Sequence, residues 1–348
     1  MKWLTAFIIT IFIVTTVNAG PLMYVPAGEA NDLVIIDLDS DKITGRIDEL
    51  ENAHGLAASP NAEYLVAGSM QPLVDGTVSS ISKPDAVTDD EHAAHHAGGD
   101  VAAMKSSSYL SIVHPKHGHV MRRIPVPTLT HHTAVSPDGK YAIAVHSGAG
   151  GISIVDLREN RVKKTIQTGM WPNYAVFNSD GKYLYISNAG PGTVSEIDTH
   201  GWSVVREFSV GKKPEHMVLS ADGLALFVAN VDEGTASAVE LKTGVVTSSF
   251  AVGAKPHGID VSDDGRWLFV SSKNDQTLSR IDLADKSMTA IDLKPAPYHV
   301  AYAAGVNKLY VSSRKAPNIW VLDPITMKVI SEIDIGQGAA HQMVVLPR

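Results

Sequence analysis

The chain has 348 residues, a formal net charge of −8 and no cysteine. The lack of cysteine excludes disulfides, thiolate metal sites, covalent c-type haem and a lipid-modified N-terminal cysteine, and the negative charge disfavours a nucleic-acid partner. A chain of this length buries a large core without disulfides, so we expect a globular domain in which any metal is bound by imidazole, carboxylate or water.

Residues 1–19 predict a secretory signal peptide. Lys2 precedes an almost wholly apolar run, and small residues lead up to Ala19. The run is short for a membrane span of about 20 residues, and no positive stop-transfer cluster follows it. We therefore expect cleavage after Ala19, a periplasmic or secreted location, and no membrane span in residues 20–348.

A unit of about forty residues recurs along the rest of the chain. In residues 173–212, alternating apolar and β-branched residues predict strands at 173–177, 182–188, 193–198 and 203–210. Residues 178–181, Asn-Ser-Asp-Gly, predict a hairpin turn between the first two strands. Four strands in a repeat of this length are typical of a propeller blade.

The repeat position occurs seven times, at residues 54, 131, 173, 216, 257, 299 and 341. The last unit has only one strand after His341, whereas residues 22–26, 32–37 and 42–47 supply three strands near the N-terminus. The sequence therefore predicts an all-β, seven-bladed β-propeller that closes by pairing N-terminal strands with the C-terminal strand. Such closure removes the open sheet edge.

One interval, from His54 to His131, is about twice the normal repeat. We interpret residues 71–107 as an insertion between the second and third strands of that blade, and its polar, Gly-punctuated composition favours a mobile loop. Its histidines, His92, His95 and His96, follow the acidic run 89–91. They favour weak metal capture, with a solvated polar loop as the alternative.

Residues 136–140, Ser-Pro-Asp-Gly-Lys, and 183–188, Tyr-Leu-Tyr-Ile-Ser-Asn, resemble the YVTN-type propeller repeat. Over essentially all of residues 20–348 the chain is also similar to the cytochrome d1 haem-domain-like superfamily, which shares that repeat. The resemblance implies a propeller fold. It leaves function open, because this fold carries binding proteins, enzymes and scaffolds alike.

A histidine returns to the start of the first strand in nearly every unit, and in a propeller that strand lines the central channel. The histidines fall into two phases, one residue apart. Adjacent residues of a regular strand face opposite ways, so either one set faces the axis or an irregular segment brings both sets to the channel mouth. The first set is His54, His131, His257 and, less regularly, His341; the second is His132, His216 and His299. His146 ends a predicted second strand that returns to the same mouth.

These positions favour binding of a transition metal, copper or zinc, because imidazole suits both ions. For each single histidine, the alternative is a side chain that only hydrogen-bonds a neighbouring blade. The role we expect is a metal chaperone or metal-handling protein, similar in logic to periplasmic zinc-chaperone propellers, whose partner is another periplasmic metalloprotein or a transporter component. The candidate ligands are His54, His131, His132, His146, His216, His257, His299 and His341, with His92, His95 and His96 in the insertion.

Three other functions stay open. The first is d1-type haem binding or maturation, with an axial histidine and basic residues for the propionates. The second is a lactonase-type or lyase-type enzyme using Glu215 with His216 or His257, although no residue is assigned a catalytic role. The third is a protein-interaction scaffold. The basic residues in the predicted mouth loops are Lys213, Lys255, Lys273 and Arg314.

Overall fold

The computed structural model describes residues 20–72 and 108–347, which form 28 β-strands and three short 3-10 helices. The strands make seven four-stranded antiparallel sheets arranged in a ring. The prediction of an all-β, seven-bladed propeller is confirmed.

The strands have the following bounds in chain order: β1 Leu22–Ala27, β2 Asp32–Asp37, β3 Lys42–Ile47, β4 Ala53–Ala58, β5 Leu65–Ser69, β6 Ser108–His114, β7 His119–Val126, β8 Thr133–Val135, β9 Tyr141–His146, β10 Gly151–Asp156, β11 Arg161–Gln167, β12 Pro172–Phe177, β13 Tyr183–Asn188, β14 Thr193–Asp198, β15 Ser203–Ser209, β16 Pro214–Leu219, β17 Ala225–Asn230, β18 Thr235–Glu240, β19 Val245–Ala251, β20 Pro256–Val261, β21 Trp267–Ser272, β22 Thr277–Asp282, β23 Met288–Asp292, β24 Pro297–Ala303, β25 Lys308–Ser313, β26 Asn318–Leu322, β27 Val329–Asp334 and β28 Val344–Leu346. The 3-10 helices are Gly28–Ala30, Ser147–Ala149 and Ala304–Val306.

One blade joins the two ends of the described chain. Its strand order is β28-β1-β2-β3, and the predicted closure is confirmed. The register pairs Leu22 with Leu346 and Tyr24 with Val344, and one further bridge links Ala27 to Ala340. Each of the other six blades uses four consecutive strands, beginning with β4, β8, β12, β16, β20 and β24.

The blade built from β12 to β15 illustrates how closely the repeat determines the strands. Its observed bounds differ from the predicted ones by no more than one residue. The predicted turn is present, since Gly181 has φ +71° and its N–H donates to the Asn178 carbonyl. The Asp180 carboxylate accepts a hydrogen bond from the N–H of Lys182 at 3.0 Å, and this side-chain contact also stabilises the turn.

The hydrophobic core lies between neighbouring blades. In one interface, Tyr185 and Val194 of one sheet pack against Leu226 and Val239 of the next. Burial of such apolar surface stabilises the ring at about 25 cal/mol per Å². Each blade therefore fixes its neighbours, and the inner strands β12, β16, β20 and β24 contact one another around the axis.

Residues 1–19, which include the predicted signal peptide, lie outside the described residues. So do residues 73–107, which carry His92, His95 and His96. This gap falls between β5 and β6, the second and third strands of their blade. Within the described ranges, no helix is both long enough and apolar enough to cross a membrane.

Candidate metal centre

Two adjacent residues of each blade, at or just before the start of the inner strand, supply the side chains of the channel. We call them the first and second positions. The first positions are His54, His131, Asn173, Glu215, His257, Tyr298 and His341. The second positions are Gly55, His132, Tyr174, His216, Gly258, His299 and Gln342.

In five of the seven blades, a β-bulge explains how both positions reach the channel. In five of the inner strands, the register against the next strand shifts across these two residues; examples are the shifts between Pro214 and Met217 and between Pro256 and Ile259. A bulge leaves residues unpaired and breaks the strict alternation of side chains. Adjacent side chains can therefore both turn toward the axis, which a regular strand would not allow.

The turn into the inner strand repeats as well. The residue two before the first position has a left-handed backbone in five blades, although none of the five is glycine. Such conformations are uncommon outside glycine, so their recurrence indicates that the geometry of the lead-in segment requires them. The residues are Asn52, Trp171, Lys213, Lys255 and Ala296, with φ between 42° and 56°.

Seven imidazoles meet in the channel, and we call them the channel cluster. Each ring centroid lies 4.0 to 4.8 Å from at least one other imidazole of the set. All seven side chains are buried, with at most 6% exposed. The members are His54, His131, His132, His216, His257, His299 and His341. Both predicted phases thus contribute, and the rings lie inside the channel rather than on an open rim.

Two glycines make room for the rings. A Cβ atom on Gly55 would lie 2.5 Å from the Cα of His132, and one on Gly258 would lie 2.8 Å from the Cα of His299 and closer still to the Tyr298 carbonyl oxygen. At these two second positions the main chains of adjacent inner strands approach too closely for a side chain. The neighbouring imidazole occupies the space at the axis instead.

Hydrogen bonds through Nδ1 orient three rings of the cluster. His54 Nδ1 lies 3.1 Å from the His131 carbonyl, and His132 Nδ1 lies 2.8 Å from the Asn173 carbonyl. His257 Nδ1 lies 2.9 Å from Glu215 Oε2. Carbonyl and carboxylate oxygens accept, so each Nδ1 carries a hydrogen. Burial lowers the pKa of His54 and His132, so these two rings are neutral and their lone pair is on Nε2. Histidines that bind metals are held in this way.

Four ring nitrogens of the cluster are buried without a hydrogen-bond partner among the described residues: His54 Nε2, His132 Nε2, His299 Nε2 and His341 Nδ1. A buried polar atom left unsatisfied costs about 1–3 kcal/mol. Each of these atoms can accept a hydrogen bond from a water molecule or bind an ion.

The imidazoles of His54, His132, His299 and His341 are uncharged near pH 7. Burial lowers the pKa of His54, His132 and His299 well below 6.5, and the neighbouring imidazoles lower it further. Burial, together with the charge of Arg314, lowers the pKa of His341 to about 3. The lone pairs are thus not blocked by protons, and an incoming cation need not displace any.

Two groups of three imidazoles place ligand atoms within 4.8 Å of one another: His54, His131 and His132, and His132, His216 and His299. The nitrogens around a tetrahedral zinc ion lie about 3.4 Å apart, so small ring rotations would close either group. His132 belongs to both groups.

His146 lies apart from these groups. Its Nδ1 is 2.9 Å from the Leu129 carbonyl, and its Nε2 is 2.8 Å from Ser153 Oγ, so both nitrogens are already used. Asn188 and Asn230 occupy the same place in other blades and donate to Ser195 and Ser237. The prediction that His146 lies with the cluster did not foresee these partners.

Sequence reasoning missed a link across the channel. Gln342 donates to the Tyr174 hydroxyl at 3.0 Å and accepts the Leu56 N–H at 3.1 Å. Tyr174 and Gln342 both occupy second positions. An alignment of the seven repeats at the second position would have shown that these two side chains face the channel. Tyr298, a first position, stacks on His257 with ring centroids 4.0 Å apart.

The basic residues near the mouth have local partners. Lys255 contacts Asp232 at 2.6 Å, and Lys213 lies 4.0 Å from Glu215. The Arg314 guanidinium lies 5.7 Å from the centre of the Tyr298 ring. Two of these cations therefore balance nearby carboxylates.

Comparisons with known proteins support the fold. The chain matches the family model described as "Choice-of-anchor I domain" over residues 100–295, more than half of its length. No curated protein sequence matches it.

Solved structures with low sequence identity share the propeller fold. Pseudomonas aeruginosa periplasmic gluconolactonase PpgL has 16% identity and a TM-score of 0.70, with 94% of this chain and 99% of that chain covered. Kuenenia stuttgartiensis hydrazine synthase has 15% identity and a TM-score of 0.67, with 91% and 99% covered. The dihydro-haem d1 dehydrogenase NirN has 15% identity and a TM-score of 0.66, with 92% and 65% covered. At this identity the likeness shows the fold alone.

Proposed function

This chain belongs to the choice-of-anchor I domain family, and we propose that its function is to bind a transition metal ion, copper or zinc, in the channel cluster. We place it in the periplasm or outside the cell, because residues 1–19 have the pattern of a signal peptide. It acts as a metal-handling protein, with the ion as its cargo.

The observation that carries the proposal is the set of unsatisfied ring nitrogens. His54 and His132 each use Nδ1 to hold a backbone carbonyl and leave a buried Nε2 without a partner in the described chain. A histidine with only a structural role would use both nitrogens, as His146 does. An ion would satisfy the remaining lone pairs, and borderline ions such as Cu²⁺ and Zn²⁺ prefer imidazole among the available ligands.

Delivery to a partner follows from this function. An ion held by neutral rings in a channel is retained until another protein competes for it. We expect that protein to be a periplasmic metalloprotein or a metal-transporter component. Residues 71–107 would act as the capture arm, with His92, His95 and His96 as weak ligands. Ser69 pairs with Ala53, so the arm leaves the described chain beside His54.

Metal analysis of protein purified without an affinity tag tests the proposal. We expect stoichiometric copper or zinc in the native protein and loss of tight binding in the variant His54→Ala/His132→Ala, measured by competition with a chelator. Retention of tight binding in that variant, with loss on deletion of residues 73–107, would reverse the roles of channel and arm. An absorption spectrum with haem bands would instead support the d1-type haem function.

A second candidate rests on one contact. Glu215 and His257 form a buried carboxylate–imidazole pair with Oε2 and Nδ1 2.9 Å apart, and such a pair can act in general acid–base catalysis. Lactone hydrolysis is the reaction to test, because PpgL is a gluconolactonase of the same fold. Hydrolysis of gluconolactone by the metal-free protein, abolished in Glu215→Gln, would favour it over metal handling.

A further inference from the structure

A second group of histidines lies at the turn between β6 and β7. His114 ends β6, His119 begins β7, and His117 stands in the turn; we call these three residues the hairpin cluster. The first and third strands of a blade run parallel. The end of β6 therefore lies at the end of the blade opposite to His54, which stands at the start of β4. β4 alone spans roughly 17 Å, so the two clusters cannot share an ion.

The three rings lie close to one another. His114 and His119 are paired across the hairpin, and their rings are nearly parallel, 13° apart in orientation, with centroids 6.0 Å apart. The ring of His117 lies edge-on at 4.3 Å from that of His114 and 6.2 Å from that of His119. His117 and His119 are exposed, so their rings can rotate toward a common point.

This turn differs from the corresponding turn of every other blade. In five of the other six, the last residue of the third strand is an acid, and in the sixth an acid directly follows that strand. The five are Asp37, Asp156, Asp198, Glu240 and Asp282, and the sixth is Asp323, which follows β26. The carboxylate of the acid accepts a hydrogen bond from the turn, as Asp156 does from the N–H of Glu159 at 2.9 Å. Only the hairpin cluster has an imidazole at this position, and two more histidines accompany it.

A main-chain hydrogen bond closes this turn without the imidazoles. Gly118, with φ +63°, donates its N–H to the His114 carbonyl at 2.9 Å, and this bond closes the turn. The N–H of His117 reaches His114 Nδ1 only at 3.3 Å, a long bond that an ion can displace. His119 Nδ1 lies 3.5 Å from the His117 carbonyl, which is too long for a strong hydrogen bond, so this contact does not hold the ring in place.

We infer that the hairpin cluster is a surface site for a borderline divalent metal ion, Cu²⁺, Zn²⁺ or Ni²⁺, separate from the channel cluster. Three imidazoles favour these ions over Mg²⁺ or Ca²⁺, which prefer oxygen ligands. We expect weak binding at this site, because no strong hydrogen bond orients its rings. The inference does not depend on the function proposed for the channel.

Retention on an immobilised Cu²⁺–iminodiacetate column tests the site. The buried channel cluster cannot reach the resin. The test uses the untagged full chain with the arm histidines removed, His92→Ala/His95→Ala/His96→Ala. In that background we expect His117→Ala/His119→Ala to lower the imidazole concentration needed for elution several-fold.

The matched control is His200→Ala. His200 is a single exposed histidine in the corresponding turn, between β14 and β15, and its removal should change elution little. Unchanged elution of the His117→Ala/His119→Ala protein, or an equal shift with His200→Ala, would overturn the inference. Circular dichroism of each variant checks that the propeller remains folded. Both substituted residues are exposed, so we expect no loss of folding.

Discussion

The start of the inner strand and the end of the second strand of one blade both carry a buried histidine. His132 precedes β8 and His146 ends β9, and each holds a backbone carbonyl through Nδ1. They differ at Nε2. His146 meets Ser153 Oγ at 2.8 Å, whereas His132 Nε2 has no partner among the described residues. Burial is thus common to structural and candidate metal-binding histidines, and the satisfaction of the second nitrogen separates them.

The sharpest test of this difference is the effect of removing each ring on metal affinity. His132 belongs to both groups of three imidazoles. We expect His132→Ala to weaken Zn²⁺ or Cu²⁺ binding by more than about 100-fold, beyond the loss typical for a residue that only orients a ligand. Competition with a chelator of known affinity measures it. Equal affinity in His132→Ala and the native protein would mean that the channel cluster is not the site.

Acidification should destabilise the metal-free protein. The folded state keeps His341 neutral down to a pKa of about 3, whereas the unfolded chain takes up a proton at that residue below about pH 6.5. The unfolded state therefore gains protons first, and the free energy of unfolding falls by about 1.4 kcal/mol per pH unit for this residue.

Urea unfolding between pH 7 and 4, with EDTA present, measures that slope. We expect His341→Gln to reduce the change in the free energy of unfolding per pH unit by the contribution of one imidazole. Parallel pH curves for the native and variant proteins would contradict the depressed pKa.

The close approach of the inner strands can be tested at Gly258. We expect Gly258→Ala to lower the free energy of unfolding by about 1–3 kcal/mol, because its Cβ would overlap the main chain of residues 298–300. Urea denaturation measures this, and metal affinity should fall with it since His299 must move. Gly305→Ala is the control, because its Cβ would meet Pro21 only at 3.5 Å. Equal stability of the two variants would refute the crowding argument.

The smallest effect is expected at His146. Asn188 and Asn230 perform its role in other blades, so His146→Asn should retain the bond to Ser153. We expect a change in the free energy of unfolding below about 1 kcal/mol and no change in metal affinity. A loss of affinity comparable to that of His132→Ala would place His146 in the metal site after all.

The sequence predicted the fold well because each blade repeats the same local signals. Alternating apolar residues and Asp-Gly turns determined the strands of residues 173–212 to within one residue. The closure at β28 was predictable by counting, since a lone strand after His341 needed partners. The strand and turn patterns are local, and the closure follows from the number of strands. Neither depends on side-chain geometry.

The arrangement of the site was only partly predictable. The repeat showed which histidines share a position, but two phases one residue apart left their directions open. The bulge that turns both phases toward the axis depends on pairing with the neighbouring strand. The partners of His146, Leu129 and Ser153, also come from chain segments that no local pattern connects to it.

In the closing blade, metal binding would have a mechanical consequence. Only three register pairs hold β28 against β1, and His341 lies just before that short strand. Its ring centroid is 4.0 Å from that of His54 in the next blade. An ion bound by the imidazoles of His54 and His341 would link β28 to the neighbouring blade. Release of the ion and detachment of β28 from β1 would then be coupled.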